Sequence, residues 1–108
     1  MESRIFNRIL ALVAERRYQF SRHVLKAAAD DNILLRDLVS GVAFGEVVED
    51  YPDYYAGPCC LVLQSDASGN PIHVLWGIKK NTDGPAIGIT CYKPDPSRWE
   101  TGFRRRRP

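Results

Sequence analysis

His73, Tyr92 and Arg98 are residue types that together can break a phosphodiester, and a second histidine, His23, stands well upstream of them. A neutral imidazole takes a proton from a ribose 2′-hydroxyl, a phenol or second histidine protonates the leaving oxygen, and an arginine fork stabilises charge on the phosphoryl oxygens. Such chemistry needs no metal, and no cofactor is expected. His73 lies in a stretch whose alternation sets Ile72, Val74, Trp76 and Ile78 on one strand face and His73, Leu75 and Gly77 on the other. The competing reading is purely structural: His73 makes one hydrogen bond across a sheet and Tyr92 covers its edge.

His23 follows Ser21, which is well placed to cap a helix, so the ring falls in a first helical turn. At that helix start His23 is expected to act as a base or hydrogen-bond acceptor, or merely to close the helix. Arg22 beside it can hold phosphate at the same helix end. Arg98, Lys93 and the arginine run containing Arg104 and Arg105 are further candidates for RNA phosphates, although an arginine run also reads as a solvated tail. Tyr51, Tyr54 and Tyr55, around Pro52 and Gly57-Pro58, form an aromatic loop suited to base stacking or to capping the core. Glu46 and Asp50 share one strand face and Glu49 the other, which reads best as a charged edge strand that resists unwanted pairing.

These residues need a scaffold. Ile5, Ile9, Leu12 and Val13 recur at helical spacing and predict an amphipathic helix over about residues 3–16. A second helix runs from the Ser21 cap through Val24, Leu25, Ala27 and Ala28 until Asp30-Asp31-Asn32 interrupts it. Leu35, Leu38, Val39 and Val42 predict a third helix to about Phe44, with Gly45 as a left-handed stop. Strands follow at residues 46–51, 59–64, 71–79 and 86–92. The expected fold is α+β: two to three N-terminal helices on one face of a four-stranded antiparallel sheet. A hairpin loop over residues 81–84 pairs Lys80 with Pro85 and, counting back, His73 with Tyr92 and Leu75 with Thr90. In that register Ile87, Ile89 and Cys91 share the face of Val74, Trp76 and Ile78, while Gly88, Thr90 and Tyr92 join His73. Trp76 reads as core, and Trp99, after the rigid Pro94-Asp95-Pro96 segment, as a lid folded back over a core edge.

The whole chain bounds the rest. Its 108 residues suit one domain, with residues 100–108 a basic C-terminal tail, and 44% hydrophobic with 26% charged residues excludes wholesale disorder. No apolar run approaches the roughly 20 residues that span a bilayer, and no signal-like apolar stretch opens the chain, so a cytoplasmic protein with no membrane partner is expected. Net charge is only +2. Cys59, Cys60 and Cys91 are odd in number and lack metal-ligand spacing, so reduced, buried thiols are expected and no metal site.

Taken as a set, Phe20-Ser21-Arg22-His23, the Gly45-to-Pro52 run GEVVEDYP, Gly57-Pro58 before Leu61-Val62-Leu63, Pro71-Ile72-His73-Val74, and Ile89-Thr90-Cys91-Tyr92-Lys93-Pro94-Asp95-Pro96 with Trp99 resemble the domain-of-unknown-function 4258 family. The resemblance covers roughly residues 18–99. It implies a small bacterial or archaeal protein related in fold to RelE-like and BrnT-like ribonuclease toxins and often paired with a small antitoxin, in some cases of zinc-finger type. The family's two histidine motifs fall on His23 and His73, and its tyrosine falls on Tyr92. Asp30-Asp31-Asn32 stands where relatives tend to carry a basic residue and a glycine, and Lys93 where many carry an acidic one. The expected function is therefore a metal-independent endoribonuclease of a type II toxin–antitoxin system, using an exposed sheet face, with RNA and a cognate antitoxin as partners. The alternative is a non-catalytic module that binds a protein partner through its sheet edge. The sequence leaves the oligomeric state open.

Overall fold

The computed structural model describes residues 2–108. Helix α1 spans Arg4–Ala14 and is capped by Ser3, whose hydroxyl accepts from the Phe6 N–H at 3.2 Å. Its stripe of Ile5, Ile9, Leu12 and Val13 is buried. The helix stops short of residue 16 because Arg16 turns to φ 61, a left-handed conformation that cannot continue it. Strand β1 (Tyr18–Phe20) comes next, and Ser21 then caps α2 (Arg22–Asp30), accepting from the Val24 N–H at 3.0 Å. Asn32, at φ 55, ends that segment. Helix α3 (Leu35–Gly41) tightens into a 3₁₀ turn over Val42–Phe44. Strands β2 (Glu46–Tyr51), β3 (Cys59–Ser65), β4 (Pro71–Ile78) and β5 (Ala86–Tyr92) complete the elements.

The fold is α+β, but the sheet has five strands in the order β1-β5-β4-β3-β2 and is mixed, not four-stranded and antiparallel. The extra strand is the segment between α1 and α2, which pairs parallel to β5 with Tyr18 opposite Ala86 and Phe20 opposite Gly88. Three residues are too few to display strand periodicity, so this edge is set by the ladder that receives it. Gly45 is likewise not a left-handed stop, since its φ is −77. It must be glycine for room: a Cβ there would lie 2.5 Å from Val62 Cγ1.

All three helices pack on one sheet face, where Val24, Ala28, Leu38 and the α1 stripe meet Cys60, Val62, Ile72, Val74, Trp76 and Cys91. Trp76 is wholly buried, and its indole N–H donates to Gln64 Oε1 at 2.9 Å while Gln64 Nε2 donates to the Leu38 carbonyl at 3.0 Å. Each large apolar side chain buried this way contributes about 1.5–3 kcal/mol. Cys59, Cys60 and Cys91 are free and buried; burial pushes the Cys60 thiol up to about 12 and the Cys91 thiol to about 11.

Two bulges decide what each face carries. In β5 the pairing of His73 with Tyr92, Val74 with Cys91 and Leu75 with Thr90 follows the expected register, then slips by one so that Trp76 faces Gly88 and Ile78 faces Ala86. Ile87 and Ile89 consequently leave the Trp76 face for the His73 face, and Gly88 does the reverse, packing under Phe20 and Trp76. The expected Lys80–Pro85 pair does not form, because the ladder ends at Ile78 and Ala86. In β2 a bulge between Val47 and Glu49 turns Glu46 and Glu49 to one side and Asp50 to the other, where it accepts from the Ser3 hydroxyl at 2.8 Å. The expected grouping of Glu46 with Asp50 is thereby overturned. Among the described residues no helix is long and apolar enough to cross a membrane.

Candidate active site beneath a C-terminal hairpin

The second sheet face is covered in part by the chain's last residues. After β5 the Pro94-to-Pro96 segment turns the chain back, and residues 98–107 form a short hairpin. The Glu100 N–H donates to Arg105 O and the Arg107 N–H to Arg98 O, both at 2.8 Å, with Trp99 bridged to Arg106. Trp99 is 3% exposed and stands edge-on to the His73 ring, centroids 4.4 Å apart. Arg106 lies over the indole at 4.7 Å and grips Glu49 with two hydrogen bonds, at 2.7 and 3.0 Å. Arg104 pairs with Glu46. The arginine run therefore lies along the sheet, and the bulge that aligns Glu46 with Glu49 is what lets alternate arginines meet both.

His73 is wholly buried at the centre of this arrangement. Its Nε2 is 2.8 Å from the Phe103 carbonyl oxygen and its Nδ1 is 3.1 Å from the Tyr92 hydroxyl. A carbonyl only accepts, so Nε2 carries the hydrogen, Nδ1 offers its lone pair, and Tyr92 O–H donates to it. A directed chain results, from Tyr92 through His73 to Phe103. Burial holds the His73 pKa below the ordinary histidine value, and Arg106 pushes the same way; the Phe103 hydrogen bond and the Glu49 charge act in the opposite sense. Burial raises the Tyr92 phenol. The Arg106 hydrogen bonds keep Glu49 below the usual carboxylate range.

Tyr92 lines two clefts. One, of about 330 Å³, is formed with Lys93, Asp95, Arg98, Trp99 and Arg106, three cations against one carboxylate. The other, of about 180 Å³, is formed with Glu49, Tyr51, Leu61, Leu75, Thr90 and Arg106. Of the residues singled out from the sequence, His73, Tyr92, Lys93 and Arg98 meet here, and Arg104 and Arg105 belong to the covering hairpin. His23 and Arg22 do not join them. Both are exposed on α2, whose Val24 and Ala28 pack on the opposite sheet face, so the sheet stands between the two histidines. Sequence reasoning missed Phe103, read Glu49 only as part of a charged edge strand and did not single out Arg106 from the arginine run. The spacing of Arg104 and Arg106 matches one side of a strand and was a usable signal; a backbone carbonyl carries none. Among the described residues no group of three His, Cys, Asp or Glu is arranged to hold a metal ion.

Fold and site together define a small α+β protein with a histidine–tyrosine pair closed in by its own C-terminal hairpin. The chain belongs to the family described as Domain of unknown function (DUF4258), which matches residues 20–93, well over half its length. That span contains His23, His73, Tyr92 and Lys93 but not Arg98, Trp99 or the hairpin. No curated protein and no solved structure matches the chain.

Proposed function

We propose that this protein is a metal-independent endoribonuclease of the toxin class, akin to RelE-like and BrnT-like ribonucleases and held in check by a cognate antitoxin. The observation that carries the reading is the directed hydrogen-bond chain Tyr92–His73–Phe103, which starts at a cleft that Tyr92 lines together with Lys93, Arg98 and Arg106. In the reaction, Tyr92 oxygen accepts the 2′-hydroxyl proton of the substrate as its own proton passes to His73 Nδ1. The imidazolium so formed is stabilised by the Phe103 carbonyl and by Glu49, the orienting role that a third group plays in a catalytic triad. The 2′-oxygen bonds to phosphorus, the bond to the 5′-oxygen breaks, and Lys93 or water protonates the departing oxygen. Arg98 and Arg106 stabilise charge on the phosphoryl oxygens. The products are a 2′,3′-cyclic phosphate and a free 5′-hydroxyl.

The test is cleavage of end-labelled RNA by purified protein in the presence of EDTA. Tyr92→Phe and His73→Gln are each expected to lower the rate by at least about 100-fold, the usual weight of general acid–base catalysis. Full activity in Tyr92→Phe would remove the relay, and full activity in His73→Gln would remove the site. The second reading, a protein-binding module, is favoured by Phe44, which is 92% exposed beside the outer edge strand β2. A partner strand added to that edge would cover it, and Phe44→Asp would then abolish capture of the partner without affecting RNA cleavage.

A further inference from the structure

Past Tyr92 the same sheet face continues into an open stretch that the proposed reaction leaves unused. Its floor is Gly77, Ile87 and Ile89, and its wall is the loop carrying Tyr54 and Tyr55. A Cβ on Gly77 would lie 2.8 Å from Ile89 Cδ1, so glycine there leaves room for the isoleucine to lie against β4. The cleft measures about 330 Å³. That is the small end of the roughly 300–1,000 Å³ range of ligand pockets and suits one flat group, not a helix.

The wall favours a π-faced occupant. Tyr55 is 80% exposed and Tyr54 49%, their ring centroids 4.7 Å apart and tilted by 37°. They do not cap the core. Among the described residues lining the cleft the one charged side chain is Lys79, a cation. An apolar floor, two adjacent exposed phenols and a lysine suit a planar base attached to a phosphate. The direction along the sheet agrees: Ile89 and Tyr92 lie on one strand, roughly 10 Å apart at the usual rise per residue, so one short oligonucleotide touches both.

We infer that this cleft is a subsite for an unpaired base of single-stranded RNA, stacked on Tyr54 and Tyr55 while the phosphate backbone runs along β5 toward Lys93 and Arg98. The inference rests on the RNA reading above and names its substrate class: single strands, since a paired base cannot enter. The experiment uses the whole protein and a single-stranded oligonucleotide, 2′-O-methylated so that it cannot be cut and carrying one 2-aminopurine. Binding is followed by anisotropy and by quenching of the 2-aminopurine. Stacking quenches the probe, Tyr55→Ala weakens binding by about tenfold and removes the quench, Tyr55→Trp retains both, and a duplex of the same sequence binds more weakly. Equal binding of the single strand by the native protein and Tyr55→Ala would overturn the subsite and leave that surface to a protein partner. If Arg98→Ala still weakens that binding, the RNA reading survives the loss. An oligonucleotide bound by no variant would overturn both.

Discussion

At the scale of single residues, His73 is held neutral by its surroundings, and this gives it a pH signature. Its pKa is lower in the folded chain than in the unfolded one, so between the two values the unfolded state binds more protons and acid favours unfolding. The stabilisation is complete above the ordinary histidine value of about 6.5 and is lost as pH falls through the folded value. Thermal melts from about pH 7.5 down to 5.5, where carboxylates remain ionised, should show a falling Tm that is flatter in His73→Gln; equal slopes would remove His73 as the cause. How much of this was visible in the sequence depends on the contact. The Tyr92 pairing was visible, although it was counted from a Lys80–Pro85 pair that does not form: it holds because the bulge in β5 offsets the different register next to the turn. The Phe103 contact was not, since it depends on how a segment thirty residues away in sequence folds back.

Single elements bend the periodicities from which faces are read. An alternating pattern assigns every side chain in a strand, and one extra residue reverses all assignments beyond it. That is why Glu46 and Glu49 ended on one side and why Ile87 and Ile89 changed faces. Helix faces carried no such hazard, and the cap at Ser21 and the buried α1 stripe lie where composition and spacing put them. Ser21 does a second task that no cap signal announces. Its hydroxyl donates to the carbonyl of Ile89, the bulged residue, at 2.8 Å while its oxygen receives the Val24 N–H. Ser21→Ala therefore removes a helix cap and leaves a bulge carbonyl short of a partner, a loss of about 1–3 kcal/mol. Urea denaturation measures it. Ser21→Asp should restore the cap but not the donor, so its stability should fall between the two.

Across the whole molecule, the question is what holds the C-terminal hairpin down. Its ion pairs to Glu46 and Glu49 involve arginine side chains that are more than half exposed, and pairs of that kind contribute about 0–1 kcal/mol. Trp99 is buried against His73, and truncating such a side chain costs about 3–5 kcal/mol. The tryptophan is thus the main anchor. Trypsin reads the difference, because the hairpin carries Arg104, Arg105 and Arg106, each followed by another arginine. Salt at about 1 M, which screens exposed pairs, should leave these sites nearly as protected as at low salt. Trp99→Ala should expose them within the first minutes of digestion, and rapid cleavage in salt alone would reverse the ranking. The neighbouring cysteines of β3 extend this to kinetics. Cys60 faces the helical core and Cys59 the side of Gly77, yet both are buried, and burial raises the pKa of each thiol. A thiol-labelling reagent therefore times two different openings in one strand: early modification of Cys59 marks a loosened sheet face, and modification of Cys60 marks loss of the core.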